Sequence, residues 1–408
     1  MKITGTIAWR NVWRNPRRTW VLITSIAIGI FGHLSTSAFN RGFLDQMVEA
    51  AINLRGGHIL IAPKGYHENP QIRLCISDPD RIFSAIEGIP NVQGAPLISL
   101  QGMVNSADTS AGVAIQGIEP GLESRISIIS QAVSQGEYLR DDENSTGDIL
   151  IGEALAEKLN VRLGEKIVLM VSDIRNEISS AAFRISGFYH VPSADFEKVY
   201  VYIRKTAAQK IAGYGDEITG ISVRLADKQE VETIADELGQ KLGDDLEVLS
   251  WQERNPLLVI SMELFDESTI IVAVIMFIAI AFTIANSFLM VIYERIQEIG
   301  IMMANGVLPK RIRRMLYVEA FFVTVLGAAL GLAANLILIG YLGATGLNLA
   351  DFADGLGSFG IGTTVYPQIW AFDIFVGLIG ILVVVFLSIL YPAIKASRFQ
   401  VVDAIRFV

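Results

Sequence analysis

Four long apolar runs, at residues 20–39, 269–293, 315–342 and 372–390, constrain this chain more than any other feature. A helix needs about 18 or more such residues to cross a bilayer. Between the first and second runs lie residues 40–268, a polar stretch large enough to fold around a core of its own. The chain has 408 residues, 51% of them hydrophobic, and a mean hydropathy of +0.44. That is too apolar for an ordinary soluble protein and too polar for a bare helix bundle. The predicted fold is an α+β membrane protein. It has four transmembrane helices, one before and three after a mixed α/β outer domain of two subdomains.

Charge sets the orientation. Lys2, Arg10, Arg14, Arg17 and Arg18 precede the first run, with no acid among them. Arg295, Lys310, Arg311, Arg313 and Arg314 separate the second and third runs, and Lys395, Arg398 and Arg406 follow the fourth. Residues 343–371 contain neither Lys nor Arg. The positive-inside rule then puts both termini and the 294–314 loop in the cytoplasm, and the large domain and the 343–371 loop outside. The net charge of -9 falls mostly on the outer domain and gives no reason to expect nucleic acid. The N-terminus imitates a leader peptide, down to the pair Arg17-Arg18. Yet Arg10-Asn11 and Arg14-Asn15 recur at four-residue spacing, building a basic face with Ile3, Ile7 and Trp13 for the lipid side. An interfacial helix over residues 1–18 is expected instead.

The segments follow. Residues 19–54 form the first span and an outer extension, 55–252 the outer domain, and 253–293 a stalk and the second span. Residues 294–314 are a cytoplasmic helix and basic loop, 315–342 the third span, 343–371 an outer loop, 372–391 the fourth span, and 392–408 a tail. Strands are expected near 58–62, 93–104, 112–117, 149–151, 166–171, 182–189, 199–203, 220–225 and 247–251. Helices are expected near 80–87, 153–159, 206–212 and 229–242. Residues 218–251 read as a strand–helix–strand unit.

Residues 294–304 carry the sharpest signal. Glu294 and Glu298 lie four apart, Ile296, Ile299 and Met303 share a face, and Asn305-Gly306 stops the helix before a basic cluster. A loop between two spans has no need of such order. The pattern suits a helix on the membrane surface pushed by something beneath it; the plain alternative is a positive-inside loop with incidental charge spacing. In the third span, Gly327 and Gly331 have the small-xxx-small spacing that permits close helix approach, or else reflect ordinary membrane composition. Asn286 and Asn335 are expected to bond between helices. No Asp, Glu, Lys or Arg lies in the middle of a run, so the energy for any transport has to come from elsewhere.

Several chemistries lack their residues. No G-x-x-x-x-G-K-[ST] phosphate loop occurs in these 408 residues. His33, His58, His67 and His190 lack metal-ligand spacing, and Cys75 is the only cysteine, so neither a metal site nor an internal disulfide is expected. Asp141-Asp142-Glu143-Asn144 reads as a solvated loop without EF-hand spacing.

At this point the residues resemble a family. Glu294-Arg295, Glu298-Ile299-Gly300, Ala304, Gly306, Arg311-Ile312 and Glu319-Ala320 resemble the cytoplasmic signature of the FtsX-like permeases, the MacB and LolC/LolE class of ABC transporter subunits. Ala8, Arg10-Asn11, Arg14-Asn15 and Arg17-Arg18-Thr19 are similar to that family's N-terminal motif. Pro392-Ala393, Ala396-Ser397 and Asp403-Ala404-Ile405-Arg406 are similar to its tail, with Val402 where the family usually has proline. Val113–Pro120, Ile149–Ala156, Leu163–Lys166, Ile185–Phe188 and Val248–Trp251 look most like the lipoprotein-releasing members.

The resemblance implies a bacterial inner-membrane permease, not itself an enzyme, working with a dimer of ABC ATPase subunits that bind ATP and magnesium. It implies a second permease, identical or paralogous, a lipoprotein or lipid substrate, and a LolA-type chaperone as acceptor. The family's chaperone-recruiting subunit carries a proline-rich hook; residues 172–182 here are short and lack proline. The ATPase-coupling residues would be Glu294, Arg295, Glu298, Ile299, Gly300, Met303, Ala304 and Gly306. A substrate cavity would be lined by Phe39, Phe43, Leu44, Met47, Leu257, Ile260 and Leu264, unless these merely pack helices. Gly327, Gly331 and Asn286 would pack the membrane helices. MacB-like efflux and FtsX-like regulation of an outer enzyme are the competing functions.

Overall fold

Asn15-Pro16 divides the basic N-terminal segment. In the computed structural model, which describes residues 2–54, 56–141 and 147–398, one helix runs Lys2–Val12 and the next starts at Pro16. The expected helix over 1–18 is thus two pieces. Proline suits the first turn of a helix but disfavours helical backbone in the residue before it. The Thr19 hydroxyl donates to the Val12 carbonyl and ties the pieces together. Asp142, Glu143 and Asn144, and the tail residues Val402, Asp403, Ala404, Ile405 and Arg406, lie outside the described residues, as does the Ile3 side chain.

Among the described residues four helices are long and apolar enough to cross a membrane: Pro16–Leu54, Pro256–Glu294, Pro309–Thr345 and Ala371–Ala396. The first and second have 39 residues each. At 1.5 Å per residue that is about 58 Å, roughly twice the hydrocarbon thickness of a bilayer, so both must continue beyond it. The chain divides into two compact units. One comprises the described parts of 1–44, 262–347 and 365–408, and the other 45–261 and 348–364.

In the first unit, apolar residues at helical spacing face inward. Ile23, Ile26 and Ile30 meet Ile284, Phe288 and Ile292, with Leu316, Val323, Ile381 and Val385 from the last two helices. Gly327 and Gly331 lie against the first helix. A Cβ on Gly327 would stand 2.7 Å from the Ile26 Cβ, and one on Gly331 2.5 Å from the Ala27 carbonyl oxygen. Asn335 is fully buried and donates to the Ser35 hydroxyl at 2.9 Å. Asn286, by contrast, is exposed on the second helix. That helix is the least covered, with 11% of its most apolar window buried. Arg41 lies 3.5 Å from Asp373, 4.0 Å from Asp266 and 4.9 Å from the Trp370 ring centre.

The second unit is built on one ten-stranded sheet. Its strands are β1 (Ile59–Pro63), β2 (Val92–Asn105), β3 (Ser110–Ile118), β4 (Val133–Gly136), β5 (Asp148–Gly152), β6 (Lys166–Ser172), β7 (Ile178–Tyr189), β8 (Tyr200–Arg204), β9 (Gly220–Leu225) and β10 (Leu246–Ser250). Strands β2, β3, β8, β5, β7 and β6 pair in a closed circuit, because β6 returns to both β7 and β2. A second group, β9, β1 and β10, leaves from the first half of β2. The two expected subdomains therefore share a strand: Val92–Leu97 of β2 pair with β9, and Gly102–Asn105 with β6.

Residues 218–251 do form strand, helix (Val231–Leu242) and strand, but β1 sits between β9 and β10. The helix Pro16–Leu54 ends before Gly56 and Gly57, whose φ values of 78° and 89° suit only glycine. A Cβ on Gly57 would also meet the Val223 carbonyl oxygen at 2.5 Å.

Candidate functional site

The segment from Glu294 onward folds as a break and a short helix. The second long helix stops at Glu294, Arg295 leaves helical geometry, and a separate helix runs Ile296–Ala304. Gly306, at φ +83°, donates its N–H to the Met303 carbonyl and closes that helix. Pro309 then opens the third long helix. Ile296, Ile299 and Gly300 are buried, and Met303 packs on the helix core. Ala304 and Gly306 are exposed. One face of the short helix is therefore fixed to the bundle, and its C-terminal end is bare.

The charges form a network. Arg18 grips Glu294 through two hydrogen bonds, of 2.5 and 2.8 Å. Arg14 lies 2.6 Å from Glu298. Arg295 bridges Glu298 at 3.3 Å and Glu319 at 3.2 Å. Asn11 donates to Glu319 at 2.6 Å. Arg14, Arg18, Glu294 and Glu298 surround a crevice of about 200 Å³ that also takes in Arg295 and Glu319.

The hydrogen bond from Arg14 holds the Glu298 carboxyl below its ordinary value, against the opposing effect of desolvation and with further help from Arg295. Glu294 and Glu298 are two of the expected ATPase-coupling residues. Within the chain they are partnered by Arg18 and Arg14 of the N-terminal segment.

Arg14, Arg18, Asn11 and Glu319 were not among the candidate coupling residues. A signal was present: Arg14 and Arg18 are four apart, as are Glu294 and Glu298, so the two segments carry opposite charges at equal spacing. Glu319 is buried and is the only acid of the third long helix.

The candidate cavity residues separate into two classes. Phe43, Leu44 and Met47 are buried and Phe39 is half-buried, with Phe43 touching the Phe39 and Phe265 rings at 6.1 and 5.4 Å. Leu257, Ile260 and Leu264 are exposed at 78, 50 and 60%. Met47 and Leu257 line one cleft of about 640 Å³ in the second unit, with Phe196, Val199, Tyr200 and Phe359. Residues 172–182 span a tight β6–β7 hairpin closed by Asp173 and Glu177. Among the described residues no group of three His, Cys, Asp or Glu side chains is placed to hold a metal.

Comparison with known proteins places both parts of the chain. Residues 270–401 match the FtsX-like permease C-terminal family, and residues 19–241 the MacB-like periplasmic core domain family. The lipoprotein-releasing system transmembrane protein LolC of Xylella fastidiosa is 23% identical over 407 residues, covering 94% of this chain and 92% of that protein. LolE of Haemophilus influenzae, another lipoprotein-releasing system transmembrane protein, is 21% identical over 393 residues, covering 92% and 90%. The macrolide export ATP-binding/permease protein MacB of Bdellovibrio bacteriovorus is 25% identical, covering 96% of this chain and 60% of its own length.

Proposed function

This chain belongs to the FtsX-like permeases with a MacB-like periplasmic core, and from that premise we propose that it is the permease subunit of an ATP-driven lipoprotein-releasing transporter in a bacterial inner membrane. The observation that carries the substrate class is the end-to-end match to LolC and LolE, over nine-tenths of both proteins. Efflux in the manner of the MacB relative is the second reading, supported by the match of residues 19–241 to the MacB-like core.

In the proposed cycle a separate ATPase dimer binds ATP and magnesium and pushes on the helix Ile296–Ala304 from the cytoplasm. The buried side of that helix, Ile296, Ile299, Gly300 and Met303, passes the push into the bundle. Ala304 and Gly306 remain for the ATPase. Glu294 and Glu298 act through the chain's own N-terminal arginines, with Arg295 tying Glu298 to Glu319, so the segment 2–18 moves with the coupling helix. The two 39-residue helices are the covalent routes by which this motion leaves the membrane.

A second permease covers the apolar face of the second helix, where Asn286 is exposed. Acyl chains leave the outer leaflet along Leu257, Ile260 and Leu264. Each extracted methylene costs about 0.8 kcal/mol, so a receiving apolar surface is required. A LolA-type chaperone would take the product; the short β6–β7 hairpin favours recruitment by the partner permease.

The test is reconstitution with its ATPase and partner permease in proteoliposomes carrying a triacylated lipoprotein. ATP-dependent release to a soluble acceptor is expected. Release of a macrolide with retention of lipoprotein would replace this function with the efflux one.

A further inference from the structure

The arginines of residues 10–18 fall into two classes. Arg14 and Arg18 are committed to Glu298 and Glu294. Arg10 and Arg17 are exposed and have no hydrogen-bond or ion-pair partner among the described residues. The first acid of the sequence is Asp45, and the acids that reach this segment, Glu294, Glu298 and Glu319, are occupied by Arg14, Arg18, Arg295 and Asn11. Two cations are thus left uncompensated beside an otherwise neutralised network.

Three tryptophans accompany them. Trp9, Trp13 and Trp20 are exposed at 41, 39 and 48%. They contact one another edge to face, Trp9–Trp13 at 5.9 Å and Trp13–Trp20 at 6.3 Å, and Trp9 is anchored on Phe322 at 5.3 Å. Their indole N–H groups have no acceptor among the described residues. A run of exposed, mutually braced indoles suits the headgroup level of a bilayer, where the ring is buried and the N–H stays wet. Arg10 follows Trp9 directly in the first helix, and Arg17 lies three residues before Trp20, one helical step, in the second. Guanidinium groups pair with phosphate oxygens in bidentate fashion.

We propose that Arg10 and Arg17, with Trp9, Trp13 and Trp20, form a binding surface for the headgroups of anionic phospholipids, distinct from the arginines that hold the coupling helix. The surface presupposes that the chain is membrane-embedded. It requires neither an ATPase nor a transported substrate, so its failure and that of the transporter function are separable.

The test is tryptophan quenching by brominated lipids in vesicles of phosphatidylcholine containing either brominated phosphatidylglycerol or brominated phosphatidylcholine. The signal from Trp251 and Trp370, measured in a Trp9→Phe/Trp13→Phe/Trp20→Phe protein, is subtracted. A relative preference of roughly tenfold for phosphatidylglycerol is expected at low salt, shrinking as salt is raised. Arg10→Gln/Arg17→Gln should bring the ratio close to one, and Arg10→Lys/Arg17→Lys should keep most of it. Equal quenching of the unaltered protein by the two lipids overturns the proposal outright. So does an equal loss in Lys310→Gln/Arg311→Gln, since the effect would then follow net charge and not this surface.

Discussion

Arg14 and Glu298 stand 2.6 Å apart although 284 residues separate them. With Arg18 and Glu294 they clip the N-terminal segment to the break between the second long helix and the helix Ile296–Ala304. The pair is largely exposed, so it adds little to stability. Its effect is on what moves with what. Glu298→Arg is therefore expected to leave folding and membrane insertion intact while lowering lipoprotein release per ATP severalfold. The swap Arg14→Glu/Glu298→Arg should recover much of the loss. Release per ATP in proteoliposomes reads this, and unchanged coupling in the single variant would remove the clip from the mechanism.

Glu319 behaves differently because it is buried against Arg295 and Asn11. Deleting one partner of a buried ion pair typically costs about 3–5 kcal/mol. Arg295 keeps Glu298 as a second acid, so Glu319→Ala should fall toward the lower end. Glu319→Gln retains an acceptor for Asn11 and should lose less. Thermal unfolding in detergent distinguishes the two; equal unfolding temperatures would contradict the network.

The first and third long helices approach closely at Gly327 and Gly331. Gly331→Ala places a methyl group 2.5 Å from the Ala27 carbonyl oxygen and should destabilise by about 1–3 kcal/mol, as overpacking does. Gly340 has open space around it, so Gly340→Ala should be neutral or gain up to about 1 kcal/mol from helix propensity. Unfolding of the two variants side by side checks the contrast.

His58 gives the second unit an acid-sensitive point. It is buried, its Nδ1 accepts the Leu225 N–H at 3.2 Å, and burial lowers its pKa. The folded chain therefore holds the neutral ring. The stability this contributes is complete above the ordinary histidine value, about 6.5, and is lost as pH falls through that value to the lowered one. His58→Gln should flatten the pH dependence of unfolding in that window. An unchanged pH profile would show that His58 is not the group responsible.

Much of this was legible in sequence. The spans were, because a run of apolar residues has few other fates. The nine expected strands appear within a few residues, since alternation and turn glycines marked them. The short edge strand β4 was missed: only Val133 among its residues is apolar, which leaves no pattern to read. Trp251 was placed in a strand but begins a helix, capped reciprocally by Ser250 and Glu253; that Ser-x-x-Glu spacing was readable and outweighs the aromatic's strand preference. At the candidate site the short helix Ile296–Ala304 was legible, but the arginines that meet its carboxylates were not. Pairing across 284 residues depends on which segments lie side by side, and the equal spacing of the two charge pairs permits it without specifying it.

Strand β2 has a consequence for how the outer unit yields under load. Its first half is stitched to β9 and its second half to β6, so a tug on either neighbour is felt through a single length of backbone. Such a body would behave as a stiff lever and not as two hinged plates, and a protease cut near Ser99 should fray both ends at once.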